Sequence, residues 1–385
     1  MRSFVYCFIT SLLLTSLNFA NSTVSSAADK AYKEGQYYMK RGRVALAAKE
    51  WEKAVSLSPT FVDALYDLGG AYFLLDKPQL AEQYWDKVLQ VEPGNVKAMD
   101  SLGYLYTQKG MFDEAKAMIE KAIATDSKYA NAYINLGFIL ATLERVDEAI
   151  QNWQMALKIE PDNLKAHENL ARIYLSIGKE AESIATWQKV LTIQKDYAFA
   201  YYNLGLIYGG QNDVAKAISF YEKAVAAEPK FAAAHNNLGF LFAMQKNAED
   251  AAKHYLKAIE GNPQYFNAYT NLAALYDHTN QVDKAIEVLK SLSLQTPQDP
   301  VVFNNIGFLL AKQSKHKDAL EYYRKSVAVN PAYPNAHYNL AESLSVLKQN
   351  AEAVKHYEKC IELVPNSPQN QETLEKIKSL SKSAP

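Results

Sequence analysis

The sequence is poor in cysteine, glycine and proline, and it has almost no net charge. It holds 2 cysteines, 15 glycines and 13 prolines in 385 residues, and its 41 basic residues are balanced by 42 acidic ones. Two cysteines exclude a disulfide scaffold and a structural zinc site built from cysteine alone. Without an excess of positive charge, nucleic acid is not an expected partner. Few glycines and prolines indicate a chain that is mostly helix interior.

The first 20 residues carry an uncharged apolar run. It extends from Phe4 to Ala20, after Arg2, and small residues follow at 25–28. Its apolar core is shorter than the ~20 residues that a membrane-spanning helix needs, so it predicts a cleaved secretory signal. An uncleaved membrane anchor over residues 4–19 is the alternative. In both cases we expect an exported protein, periplasmic or secreted, with membrane contact only through this segment.

Prolines recur with a period of 34 residues, which indicates an internal repeat. They are Pro59, Pro93, Pro161, Pro229, Pro263, Pro297, Pro331 and Pro365. When these prolines are placed at position 32 of the period, ten repeats begin at residues 28, 62, 96, 130, 164, 198, 232, 266, 300 and 334. The repeats therefore occupy residues 28–367 without an insertion or a deletion.

Each repeat shows two apolar stripes at helical spacing, at positions 4, 7, 8 and 11 and at positions 20, 24, 27 and 28. Position 8 is always small: Gly35, Gly69, Gly103, Gly137, Ala171, Gly205, Gly239, Ala273, Gly307 and Ala341. Position 24 is usually a large ring: Trp51, Trp85, Trp153, Trp187, Tyr221, Tyr255, Tyr323 and Tyr357. Alternating small and large residues pack as interdigitating layers.

These positions, together with aromatic residues at position 11, resemble the tetratricopeptide repeat family. The position-11 residues are Tyr38, Tyr72, Tyr106, Tyr174, Tyr208, Phe242 and Tyr276. The resemblance implies an all-α, right-handed superhelical solenoid of helix-turn-helix units, with the first helix of each unit, helix A, lining a concave wall. We expect a signal and leader over 1–27, the solenoid over 28–367, and a capping helix and tail over 368–385. Leu374, Ile377 and Leu380 should form the packing face of that cap.

Position 6 is asparagine in seven consecutive repeats: Asn135, Asn169, Asn203, Asn237, Asn271, Asn305 and Asn339. It lies opposite the packing stripe of helix A, so the amides should face away from the interior. Seven asparagines in helices forgo about 3 to 4 kcal/mol relative to alanine. They either bond a neighbouring helix, which fixes the stacking register, or bind the main chain of an extended peptide. A similar asparagine ladder holds substrate main chain in the repeat domains of O-linked N-acetylglucosamine transferases.

The seven amides should span about 60 Å, which matches roughly 18 extended residues. Selectivity would then come from varied residues on the same wall: Tyr104, Phe138, Lys165, Arg172, Phe240 and Phe308.

Chemical motifs are scarce in the sequence. His167, His235 and His337 occupy position 4 of different repeats and should not converge on one metal, and His254 and His356 should lie at the surface. The sequence has no Gly-rich phosphate loop and no His-Glu-x-x-His or Gly-x-Ser-x-Gly motif. These observations predict a protein that is not an enzyme and needs no cofactor.

The pattern as a whole predicts a scaffold for protein-protein interaction that binds an extended peptide in its groove. A polysaccharide-binding scaffold of an envelope export machine is the first alternative, because amides and aromatic rings also suit sugars. Self-assembly of the repeats into a homo-oligomer is the second, although the C-terminal cap argues against open-ended stacking.

Overall fold

The computed structural model describes residues 24–382, and its regular structure in that range is α-helical. Each repeat contributes a helix A over positions 1–13 and a helix B over positions 17–30, except that the first helix begins two residues early and ends one residue early. The A helices are α1 (Ser26–Met39), α3 (Val62–Leu74), α5 (Val96–Gln108), α7 (Ala130–Thr142), α9 (Leu164–Ser176), α11 (Ala198–Gly210), α13 (Ala232–Met244), α15 (Phe266–His278), α17 (Pro300–Lys312) and α19 (Pro334–Val346).

The B helices alternate with these along the chain. They are α2 (Val44–Leu57), α4 (Pro78–Val91), α6 (Phe112–Thr125), α8 (Val146–Ile159), α10 (Glu180–Ile193), α12 (Val214–Ala227), α14 (Ala248–Gly261), α16 (Val282–Gln295), α18 (His316–Val329) and α20 (Asn350–Leu363). A last helix, α21 (Asn370–Lys382), follows the tenth repeat. The described residues form two compact units, which divide between Lys189 and Val190.

The predicted secretory signal over residues 1–20 lies outside the described residues. Among residues 24–382, no helix combines the length and the apolar character that crossing a membrane requires.

Helices A and B of one repeat meet where position 8 faces position 24. In the fourth repeat, a Cβ atom added to Gly137 would lie 2.5 Å from Nε1 of Trp153, closer than real Cβ contacts allow. The indole N–H of Trp153 donates to the carbonyl oxygen of Ile134 in helix A at 3.0 Å. The second unit has the same small-against-large contact in Gly205 with Tyr221, Gly239 with Tyr255 and Gly307 with Tyr323. The predicted packing of the two stripes is confirmed.

Every A helix is followed by a residue with left-handed backbone at position 15. After α13 this residue is Lys246, with φ 60°, and the following Asn247 N–H bonds the carbonyl oxygen of Phe242 at 2.9 Å. This is the Schellman arrangement, which closes a helix on its own carbonyl groups. The ten residues are Gly42, Asp76, Gly110, Glu144, Gly178, Asn212, Lys246, Asn280, Ser314 and Lys348. Because most of them are not glycine, composition did not reveal this turn.

The capping helix packs through a face that differs by one residue from the predicted one. Ile377 and Leu380 contact the core of the last repeats, as expected. Leu374 is 46% exposed, so its predicted place in the packing face was wrong, and Thr373 is buried there instead. The hydroxyl of Thr373 donates to the carbonyl oxygen of Gln369 at 2.9 Å. That bond satisfies the threonine's polar atom and allows the smaller side chain to take the interior position.

Candidate binding face on the A helices

The A helices carry large apolar side chains in solvent at position 9. Phe138 in the first unit is 45% exposed, and Phe240 and Phe308 in the second are 52% and 51% exposed. Tyr104 and Leu206 occupy the same position and are also exposed. Positions 2 and 13 lie on the same side of helix A as position 9, and they also carry exposed apolar residues, such as Val301 and Met244. Exposed apolar patches of this kind often mark contact surfaces.

The seven asparagines at position 6 are less exposed than these aromatic residues. Asn203 is buried and the other six are partly buried. The expectation that their amides face fully away from the interior is therefore corrected. They lie at the border between the packing stripe and the exposed position-9 side chains, where they reach neighbouring helices.

Several of these amides bond the preceding repeat. Nδ2 of Asn271 donates to Oδ1 of Asn236 at 2.9 Å, and Nδ2 of Asn339 donates to Oδ1 of Asn304 at the same distance. In the first unit, Nδ2 of Asn135 donates to Oδ1 of Asp100 at 2.7 Å. In each case the acceptor is the position-5 residue one repeat earlier. The bonds tie successive A helices in a fixed register.

Position 5 of one repeat and position 6 of the next also bond each other where neither residue is asparagine. The hydroxyl of Tyr32 donates to Oδ2 of Asp67 at 2.9 Å, and the hydroxyl of Tyr66 lies 3.1 Å from Oγ of Ser101. At the other end of the array, Nζ of Lys376 in the capping helix donates to the hydroxyl of Tyr338, which is position 5 of the last repeat, at 2.8 Å. A polar contact between repeats therefore accounts for part of the asparagine pattern, as the structural alternative requires.

Asn203 bonds within its own repeat, whereas Asn237 bonds the position-24 tyrosine of the preceding repeat. Nδ2 of Asn203 donates to the carbonyl oxygen of Phe199 at 2.7 Å, and Nδ2 of Asn237 donates to the hydroxyl of Tyr221 at 3.1 Å. A side-chain amide has two N–H donors and one carbonyl acceptor. One bond through Nδ2 leaves it with hydrogen-bonding capacity for a ligand, so a structural role and a binding role are compatible.

Three predicted residues meet in one cleft of the first unit. Tyr104, Asn135 and Lys165 line a cleft of about 570 Å³ together with Asp67 and Asp100. Burial raises the pKa of the Asp100 carboxyl, and bonds from Asn135 and Tyr129 and the charge of Lys165 oppose that shift. Burial also raises the pKa of Asp67, against the bond from Tyr32.

A second cleft, of about 680 Å³, lies at the C-terminal end of the second unit. Phe308 and Asn339 line it together with Asn304, Tyr338 and Thr373 of the capping helix. The remaining predicted residues line neither cleft: Phe138, Arg172, Phe240, Asn169, Asn203, Asn237, Asn271 and Asn305. Lys165 and Arg172, the predicted basic spot, are both exposed on α9.

The histidines differ from the prediction. His254 and His356 are half-buried, and each contacts the position-4 histidine of its own repeat, so their predicted place at the surface was wrong. Over residues 24–382 no group of three or more His, Cys, Asp or Glu side chains is placed to hold a metal ion.

Tandem helical hairpins of one length, with an exposed face on the A helices, define a helical-repeat protein. Models described as tetratricopeptide repeat match residues 96–129, 130–163, 162–229, 202–266, 242–304, 302–330 and 334–367, and one described as TPR repeat matches 35–76. Together these matches extend over most of the ten repeats. The chain belongs to the tetratricopeptide repeat family.

The chain is similar to several solved structures. A tetratricopeptide repeat protein from Parabacteroides merdae is 17% identical, with a TM-score of 0.50 over 65% of this chain and 99% of that chain. PilW, titled a widely conserved type IV pilus biogenesis factor, is 18% identical, with a TM-score of 0.48 over 53% of this chain and 95% of its own. MamA is 23% identical, with a TM-score of 0.37 over 42% of this chain and 94% of its own. No curated protein matches the sequence.

Asn271→Ala should lower the stability of the chain by about 1 kcal/mol, because the buried Oδ1 of Asn236 loses its donor. Urea denaturation followed by circular dichroism measures the change. Asn169→Ala is the matched control: the position-5 residue before it is Ile134, whose side chain has no hydrogen-bonding atom. The control should be unchanged or more stable by about 0.5 kcal/mol, from helix propensity. Equal losses in both variants would contradict a bond between repeats.

Asp100→Asn should raise stability at neutral pH. Because burial raises the pKa of Asp100 in the folded state, the folded chain holds this proton more tightly than the unfolded chain. The stabilisation from that proton is present below the unfolded pKa of about 3.9 and is lost as the pH rises through the folded value. Asparagine keeps an acceptor for Asn135, as Asn236 does for Asn271.

The urea midpoint of Asp100→Asn should therefore exceed that of the wild type at pH 7, and the difference should shrink as the pH falls towards about 4. Asp196→Asn, at an exposed position, should show no such trend. A loss of stability at pH 7 in Asp100→Asn would mean that the charge itself is stabilising.

Proposed function

We propose that this chain is a non-catalytic scaffold that binds an extended segment of a partner protein along its A helices. Membership of the tetratricopeptide repeat family and the fold support a protein-interaction scaffold. The observation that carries the finer proposal is the exposed large apolar residue at position 9, which occurs on α7, α11, α13 and α17 in the same helix as a position-6 asparagine. Such a row offers anchoring contacts for side chains and hydrogen bonds for main chain.

The second unit carries the most regular part of this row. Leu206, Phe240 and Phe308 are exposed on α11, α13 and α17. Met244 on α13 and Val301 on α17 are exposed on the same side of their helices. Burying one such side chain contributes about 1.5 to 3 kcal/mol. Packed helices lie about 10 Å apart, and an extended chain advances about 3.3 Å per residue, so one repeat corresponds to about three ligand residues.

The hydrogen bonds between repeats change the expected roles of the asparagines and the apolar residues on this face. The sequence predicted that the amides bind the main chain of the ligand or a neighbouring helix. Asn271 and Asn339 already use one N–H for stacking, so the amides are fixed in orientation before a ligand arrives. Fixed amides lose little entropy on binding main chain. We assign them orientation of the ligand and assign most of the binding free energy to the apolar residues at position 9.

Phe240→Ser should weaken peptide binding at least tenfold. A random 12-residue peptide library displayed on phage and selected against the full chain supplies the probe, and calorimetry with one selected synthetic peptide gives the affinity. Loss of one buried aromatic contact of about 1.5 to 3 kcal/mol predicts this factor.

Leu256→Ser is the matched control, because Leu256 is 50% exposed on helix B of the same repeat. It should change the affinity less than twofold. If the selected peptides bind Phe240→Ser and Leu256→Ser with the same affinity as the wild type, the proposed binding face is contradicted. Failure to select any peptide, together with retention on a glycan array, would support the polysaccharide alternative.

We also infer that the chain is exported, on the evidence of its first 20 residues. The uncharged apolar run from Phe4 to Ala20 after Arg2 supports a secretory signal, with the scaffold acting outside the compartment of its synthesis.

A fusion of residues 1–28 to alkaline phosphatase, which is active only after export, should be active. Leu13→Arg should abolish that activity, because a charge in the middle of the apolar run costs about 3 kcal/mol in an apolar environment. Ser25→Arg, outside the run, is the control and should keep it. An inactive wild-type fusion would contradict export.

A further inference from the structure

Two repeats hold a pair of histidines in the same arrangement. In the seventh repeat, Nδ1 of His235 lies 3.0 Å from Nδ1 of His254, and in the tenth, Nδ1 of His337 lies 2.8 Å from Nδ1 of His356. The partners are position 4 of helix A and position 23 of helix B. Their ring centroids are 5.2 and 5.1 Å apart.

A backbone carbonyl orients one ring of each pair. Nε2 of His235 lies 3.2 Å from the carbonyl oxygen of Pro229, and Nε2 of His337 lies 3.0 Å from that of Pro331. A carbonyl oxygen can only accept, so Nε2 carries the proton and donates it. In the neutral ring, Nδ1 of the position-4 histidine then has its lone pair directed at the partner's Nδ1–H.

We propose that each histidine pair is a chelating site for a divalent transition metal that prefers imidazole ligands, such as Zn²⁺ or Ni²⁺. Imidazole nitrogens bind Zn²⁺ at about 2.0 to 2.1 Å, so two nitrogens 2.8 to 3.0 Å apart can share one ion at an angle of about 90°. The ion replaces the proton between the two Nδ1 atoms, and that proton passes through solvent to Nε2 of the position-23 ring. Water completes the coordination.

The second contact of the position-4 ring suits a metal ligand. Metal-binding histidines usually donate their other ring N–H to a carbonyl or carboxylate, which fixes the tautomer and the ring orientation. Pro229 and Pro331 supply that acceptor. The two rings lie on different helices of one hairpin, so the hairpin fold itself sets the distance between the ligands.

Burial favours the neutral form of His235, His254 and His356. Burial lowers the pKa of His254 to about 4, helped by the neighbouring His235 and Lys253. Burial also lowers the pKa of His235 and of His356. His254 and His356 remain partly exposed, which gives an ion access. Charges that act on the pairs are Asp250, Glu260, Lys253 and Lys257 in the seventh repeat and Glu352 and Arg324 in the tenth.

The fifth repeat contains a natural control. Nε2 of His167 lies 2.9 Å from the carbonyl oxygen of Pro161, so its ring is held as in the two pairs. Position 23 of that repeat is Thr186, which supplies no second imidazole. A bonded position-4 histidine alone should therefore not bind the ion.

Nuclear magnetic resonance of the full chain tests the proposal, with ¹⁵N in the histidine rings and without a histidine tag. On addition of Zn²⁺, the Nδ1 signals of His235, His254, His337 and His356 should shift, and those of His167, His278 and His316 should not. Calorimetry with Zn²⁺ should give two sites per chain. No shift at millimolar Zn²⁺, or equal shifts of all seven histidines, would overturn it.

His254→Thr gives the seventh repeat the residue pair of the fifth, which the fold accommodates there. The shift of His235 should then be lost, the shifts of His337 and His356 should remain, and the calorimetric stoichiometry should fall to one. Unchanged circular dichroism checks that the helices persist. A variant in which His235 still shifts as in the wild type would refute chelation by the pair.

Discussion

The close contact between a small residue at position 8 and a large side chain at position 24, in most repeats an aromatic ring, sets the distance between the two helices of a repeat. A Cβ atom on Gly137 would lie 2.5 Å from Trp153, so the helices approach as far as the absence of a side chain permits. The indole N–H then reaches the carbonyl oxygen of Ile134, which adds a hydrogen bond to the contact. The same left-handed turn at position 15 connects the two helices in all ten repeats.

Stacking of the hairpins uses a second, polar contact, and this contact separates the roles of neighbouring positions. Position 6 bonds position 5 of the preceding repeat, as in Asn271 with Asn236, and Lys376 takes over that role at the C-terminal cap. Buried polar atoms need such partners, so the choice of residue at these positions is restricted. Position 9 varies among Gln, Gly, Tyr, Phe, Arg, Leu, Ala and Glu, which makes it the place where binding selectivity can arise.

Residues with a local role were predictable from the sequence. Pro78, Pro300 and Pro334 begin α4, α17 and α19, because proline at the first helical position lacks only an N–H that has no partner there. Residues whose role depends on a distant partner were not. Leu374 and Thr373 are one position apart on the cap, and only packing against the last repeat decides which is buried. His254 lies 19 residues from His235, on another helix.

By itself the sequence determined the number of repeats, the two helices in each, the small-against-large contact and the face on which varied residues lie. These follow from spacing along the chain, since a helix advances a fixed angle per residue. Tertiary structure decided which atoms meet: the amide of Asn271 with Asn236, the hydroxyl of Tyr32 with Asp67, and the paired rings of His337 and His356. Periodicity gives a direction around a helix, whereas a hydrogen bond requires a distance between two atoms that only the packed helices fix.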